Sequence, residues 1–215
     1  AFQPRAGDQL ASLNAGNAAL EPESFRNREL GAKWDIRRDL QASLAVYRLD
    51  RRNVAVVDPD DPTRMRLTDG QVTRGVEIGL AGRISDAWQV MGGYARQNGE
   101  LLADLGTSAH KGNRLAQLPR HSASLWNRYD FTPRLGAGLG IIHRGAMYAN
   151  VDNQVTLPAF TRFAAALYWS ATESLQMQLN IENLTDKRYF ASAHSNNNIT
   201  PGAPRSAWVS LNFAY

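Results

Sequence analysis

Apolar and polar positions alternate at period two along most of this chain. In Val76-Glu77-Ile78-Gly79-Leu80-Ala81-Gly82-Arg83-Ile84 the even positions are mostly apolar and the odd ones small or charged, the pattern of a strand with one apolar face. Trp88, Val90 and Tyr94 oppose Gln89, Gly93 and Gln97; Phe163, Ala165, Leu167 and Trp169 oppose Ala164, Ala166 and Tyr168. Leu175, Met177, Leu179 and Ile181 oppose Gln176, Gln178, Asn180 and Glu182. The last ten residues do the same: Ala207, Val209, Leu211, Phe213 and Tyr215 form one stripe that ends on the terminal aromatic. An exposed apolar stripe of this kind suits a strand with one face in lipid and the other in a polar lumen, whereas an uncovered apolar edge strand in water invites aggregation.

The connections are of two kinds. Short turns fall at Arg37-Arg38-Asp39, Ser85-Asp86-Ala87, Thr132-Pro133 and Ala171-Thr172-Glu173. Long loops, rich in Asn, Gly, Asp and Pro, fall between Asp58 and Arg64, Gly99 and Arg120, Asn150 and Pro158, and Thr185 and Arg205. Strict alternation puts all short turns at one end and all long loops at the other, as in outer-membrane barrels. Trp88, Phe131 and Trp169 lie beside short turns, where an aromatic girdle at the bilayer boundary is expected. Counting from Ser24 gives about nine antiparallel strands of roughly 10 to 15 residues, long enough to cross a bilayer tilted. Ala1-Phe2 then reads as the top of a preceding upward strand. Because a membrane barrel must close to satisfy its backbone in lipid, the expected fold is all-β, with residues 1–215 forming the C-terminal part of a larger transmembrane β-barrel. The opening on Ala1 rather than Met fits a fragment or processed product.

Composition changes this picture little. The chain has 215 residues, 43% of them hydrophobic and 20% charged, with no cysteine. Its mean hydropathy of -0.40 is compatible with a barrel, whose apolar residues are hidden by alternation. No uncharged apolar run approaches the roughly 20 residues of a membrane helix. The formal charge of +4 comes from scattered Lys and Arg rather than from a basic face interleaved with aromatics, so no nucleic-acid partner is expected.

At the level of motifs the chain resembles the TonB-dependent outer-membrane receptors, and within them the ferric-siderophore receptors. The resemblance is carried by Leu20-Glu21-Pro22-Glu23 followed by Asn27 and Glu29-Leu30-Gly31-Ala32-Lys33-Trp34, and by Gly75-Val76-Glu77. It continues in Leu118-Pro119-Arg120-His121-Ser122-Ala123-Ser124-Leu125-Trp126, Asn183-Leu184-Thr185-Asp186-Lys187-Arg188-Tyr189 and Pro201-Gly202-Ala203-Pro204-Arg205. It implies a 22-stranded barrel around an N-terminal plug, neither plug nor early strands being among these residues. The implied partners are a ferric siderophore, TonB through the missing N-terminal region, outer-membrane lipid and the barrel assembly machinery; the implied location is the outer membrane of a Gram-negative bacterium. Iron would be cargo, with no resident cofactor. The alternatives are a TonB-dependent receptor for haem, cobalamin or a glycan, and a passive porin.

Candidate chemistry is sparse. His110, His121, His143 and His194 lack metal-site spacing, and no Gly-x-Ser-x-Gly elbow is present, so the expectation is a non-enzymatic transporter with no catalytic or metal residues. Asp58-Pro59-Asp60-Asp61 lacks the Gly and closing Glu of an EF-hand loop and reads as a solvated loop tip. Gly136, Gly138 and Gly140 share one face of a strand, which is read as a bare inner face that lets another backbone approach closely. By parity Arg144 and Tyr148 continue that inward face, and Trp126 shares an inward face with Ser122, Ser124 and Arg128. Trp126, Arg144 and Tyr148 are therefore the candidate ligand-binding residues, with wall packing as the rival role. Val209, Leu211, Phe213 and Tyr215 are the candidate assembly signal.

Overall fold

The computed structural model describes residues 2–3, 21–57 and 65–213. Its strands are β1 (Phe2–Gln3), β2 (Glu23–Arg37), β3 (Leu40–Arg52), β4 (Val54–Val57), β5 (Met65–Thr68), β6 (Gln71–Arg83), β7 (Trp88–Leu101), β8 (His121–Thr132), β9 (Leu135–Arg144), β10 (Met147–Tyr148), β11 (Thr156–Leu157), β12 (Phe160–Ser170), β13 (Leu175–Glu182), β14 (Phe190–Ser195), β15 (Asn198–Pro201) and β16 (Ser206–Phe213). Among the described residues, ten of them form one antiparallel meander in the order β1-β2-β3-β6-β7-β8-β9-β12-β13-β16. The pairs β4/β5, β10/β11 and β14/β15 are separate hairpins inserted in the long connections. The nine long strands are those expected, although β13 and β16 are only 8 residues each. Phe2 and Gln3 pair with Ser24 and Glu23, so a strand does precede β2.

The pairing register sorts the side chains into two faces, because directly opposed residues point to the same side. One face carries Leu30, Val46, Val76 and Ile78, then Leu125 and Ile141, then Leu167, Leu179 and Val209, and last Met177 opposite Leu211 and Leu175 opposite Phe213. These side chains are apolar yet open: Leu30 is 76% exposed, Val209 60% and Phe213 63%. Trp88, Phe131 and Trp169 are exposed beside the short turns, and Trp34 joins them. The opposite face carries Glu29, Lys33, Gln41, Glu77, Gln97, Arg128, Arg162, Gln178 and Asn180. Val209, Leu211 and Phe213 sit on the apolar face; Tyr215 lies outside the described residues, as do 58–64, which include the acidic loop tip.

Local chemistry closes the short turns. Thr132 Oγ1 accepts the N–H groups of Arg134 and Leu135 at 3.2 and 3.0 Å. Thr172 Oγ1 does the same for Ser174 and Leu175 at 3.3 and 3.0 Å, so each hydroxyl supplies the acceptor that starts the returning strand. Adjacent turns are tied by Arg37, whose guanidinium donates to the Ile84 carbonyl at 2.9 Å.

Two expectations are corrected. The space above the three glycines is filled from within the sheet. A Cβ on Gly138 or Gly140 would fall inside the Trp126 indole, and one on Gly136 would strike the Asp130 carboxylate. Trp126 and Asp130 stand directly opposite Gly140 and Gly136, so the glycines accommodate neighbouring side chains rather than leaving the wall bare. Tyr148 does not continue the face of β9. β9 stops at Arg144 and Tyr148 belongs to the β10/β11 hairpin, outside the large sheet; once the ladder is left, counting by two no longer sets direction.

Candidate functional site

The polar face and the loop layer above it form the surface available to a ligand. Along the wall, polar side chains bond to each other within and across strands. Arg51 makes a two-pronged contact with Glu23 at 2.8 Å per arm. Tyr47 Oη donates to Gln97 Oε1 at 2.9 Å. Arg128 donates to Asp130 at 2.9 Å while stacking 4.1 Å above the Tyr168 ring, and Arg162 donates to Glu182 at 2.7 Å. Such pairing holds long side chains in fixed positions, and because the pairs are half-exposed their role is geometric more than energetic. Around Trp126 an open groove of about 480 Å³ is lined by Met91, Gly140, Arg162, Ala164 and Glu182.

The loop layer has its own small core. Met147, Ala149, Leu157 and Ala193 are buried together, with Val155 and Ile199 against them. That core joins the β9–β12 connection to the β14/β15 hairpin. Asn153 joins the same layer to the loop after β7: its amide donates to the Arg114 carbonyl and its carbonyl accepts the Arg114 N–H, both at 2.8 Å. It holds φ at 59°, a left-handed conformation that Asn tolerates better than most residues. Asn113 donates to the Val151 carbonyl at 2.9 Å, and Gln117 Oε1 accepts the Ala193 N–H at 3.2 Å. At the base, Asn183 is 1% exposed; it donates to the carbonyls of Lys187 and Ala203 at 3.0 Å each and accepts the Lys187 N–H at 2.9 Å. Asp186 completes the turn by accepting the Arg205 N–H at 2.9 Å.

The three candidate residues do not converge. Trp126 lies flat on the wall. Arg144 is four residues farther along β9 than Gly140, about 13 Å at strand rise; its guanidinium donates to the Ala191 carbonyl at 2.7 Å and lies 5.5 Å from the Phe160 ring centre. Tyr148 is half-buried in the loop layer, with the Arg114 guanidinium 5.7 Å from its ring centre. Arg114 is the residue that sequence reasoning missed. Its pKa is lowered by burial and then by the neighbouring Arg120, so two guanidiniums share one region of the loop layer, the arrangement an anion relieves. Nothing in the local sequence marks it, because its partners Asn153 and Tyr148 come from another connection. Among the described residues no group of three His, Asp or Glu side chains could hold a metal.

Residues 1–184 match the family described as TonB dependent receptor-like, beta-barrel. The chain is 32% identical over 97% of its length to the probable TonB-dependent siderophore receptor PiuA of Acinetobacter baumannii, covering 29% of that protein. It is 34% identical over 99% of its length to the catecholate siderophore receptor Fiu of Escherichia coli K12, again covering 29%. The crystal structure of PiuA superposes with a TM-score of 0.86 over 94% of this chain and 30% of that one. The closed form of Fiu gives 0.81 over 98% of this chain and 30% of that one, at 27% identity. The chain thus spans less than a third of the length of these relatives. An antiparallel meander with one exposed apolar face, a polar opposite face and a layer of interlocked long loops, matched in sequence and in shape, belongs to the TonB-dependent receptor β-barrel family.

Proposed function

We propose that residues 1–215 form the C-terminal wall of the barrel of a ferric-siderophore receptor in the outer membrane of a Gram-negative bacterium, and that the full-length protein imports iron with energy drawn through TonB. The supporting observation is the likeness over nearly the whole chain to receptors named for siderophores. The apolar face meets lipid, the polar face lines the lumen, and the long loops form the outer mouth. Ligand enters through the loop layer, where Arg114 and Arg120 offer positive charge and Tyr148 an aromatic face; Trp126 and Arg162 stand lower on the wall. The chemistry supplied is recognition, with iron as cargo held by its chelator. A plug, a TonB-contacting segment and the barrel assembly machinery complete this reading as partners of the full-length protein.

The test is binding of ferric and metal-free siderophores, haem and cobalamin to the purified full-length receptor and to its Arg114→Ala, Trp126→Ala, Arg144→Ala and Tyr148→Ala variants. Ferric siderophore is expected to bind and the metal-free form to bind more weakly. Arg114→Ala is expected to weaken binding most, because truncating a central contact costs on the order of 2 kcal/mol or more. Binding of haem or cobalamin alone would reject the siderophore assignment.

A further inference from the structure

The apolar face carries a cluster of charge at its long-loop end that neither barrel closure nor cargo recognition uses. Arg28, Arg48 and Arg74 stand directly opposite one another on β2, β3 and β6, with Asn98 of β7 next in the row. Arg96 lies diagonally from Arg74, two residues along β7 from Asn98, and Arg26 and Arg52 extend the cluster on β2 and β3. Like charges directly opposed across strands destabilise a sheet. The described carboxylates nearby are few: Asp50 is 2% exposed and held by Arg48 at 2.7 Å, Asp69 is 3.7 Å from Arg52 and Glu100 is 3.9 Å from Arg74. Asp50 also feels the charges of Arg52 and Arg28, but among the described residues no carboxylate forms an ion pair with Arg26, Arg28 or Arg96, and all three are exposed.

Two residues lower on the same face, about 7 Å along the strands, begin the exposed apolar side chains Leu30, Leu44, Val46, Val76 and Ile78. The cluster is local. The same face of β8, β9, β12, β13 and β16 carries no arginine, only His121, His143 and Thr161 at the corresponding end. An amphiphile with an anionic head and several acyl chains fits this surface in both parts. Guanidiniums bind phosphate through two parallel donors, and a positively charged row at the membrane surface attracts anionic headgroups.

We propose that the outer face of β2, β3, β6 and β7 is a binding site for a phosphorylated glycolipid of the outer leaflet, its phosphates on the arginine row and its acyl chains on the apolar side chains below. The proposal rests on the outer-membrane reading. Headgroup phosphate neutralises the opposed arginines, so lipid binding stabilises this sector of the wall.

The test uses the full-length receptor in nanodiscs of phosphatidylethanolamine doped with bisphosphorylated lipid A or with its dephosphorylated counterpart, and counts retained lipid by native mass spectrometry. Wild type is expected to retain the bisphosphorylated lipid at least tenfold more than the dephosphorylated one. The Arg28→Gln/Arg74→Gln/Arg96→Gln variant, which leaves the Arg48–Asp50 pair intact, is expected to lose that preference. A charge-matched Lys33→Gln/Arg134→Gln/Arg188→Gln variant is expected to keep it. Equal retention of both lipids by wild type would overturn the proposal even if the triple variant failed to fold, and so would an equal loss in the charge-matched variant. A receptor absent from the outer-membrane fraction would instead overturn the membrane reading beneath it.

Discussion

Trp126 and Asn183 show how single side chains set this wall. The indole of Trp126 occupies the space that side chains at 138 and 140 would otherwise fill. Gly138→Ala is therefore expected to displace the ring and destabilise the folded barrel by about 1–3 kcal/mol, the usual range for overpacking. Trp126→Ala combined with Gly138→Ala should cost less than the two single changes together; additive losses in denaturant titration would show that the ring does not rest on that glycine. Asn183→Ala removes three hydrogen bonds at a buried turn whose φ is 49°. It is expected to cost on the order of 2–3 kcal/mol, read as earlier loss of the heat-modifiable band. Unchanged migration would remove Asn183 from the turn's support. Asn and Asp favour such turns by residue type, so the bonds of Asn183 and Asp186 follow from local chemistry. The sequence did not reveal that Trp126 covers the glycines, because that contact depends on which residues the register sets opposite each other.

At the scale of elements, period-two alternation was sufficient to place the nine long strands, since each strand has one apolar face. Where that condition fails the reading fails too: β10, β11, β14 and β15 lie in the loop layer, off the large sheet, and their short pairings leave no periodic trace. Arg114 and Asn153 escaped for the same reason, their bonds joining two connections whose contact is invisible along the chain. The segregation of short turns from long loops predicts one-sided labelling. Single cysteines at Ser108 and Asn197, both exposed in long connections, are expected to react with an impermeant reagent on whole cells, and one at Asp86 in a short turn is expected to stay unlabelled. Labelling at Asp86 on intact cells would contradict the topology.

At the scale of the molecule, the sheet among the described residues is open, with β1 and β16 at its two ends, and an unpaired strand edge in lipid leaves backbone groups without partners. The meander is therefore stable in a bilayer only as part of a closed wall. The proposed role of this wall is in a TonB-driven importer of ferric siderophores. The most direct measurement is uptake of radioactive iron, presented as a panel of ferric siderophores, by cells in which the full-length protein is the sole receptor, with TonB present or deleted. Uptake of at least one ferric siderophore is expected with TonB present and none when it is deleted. Uptake that persists without TonB, or transport of haem or cobalamin with no ferric siderophore taken up, would contradict that role.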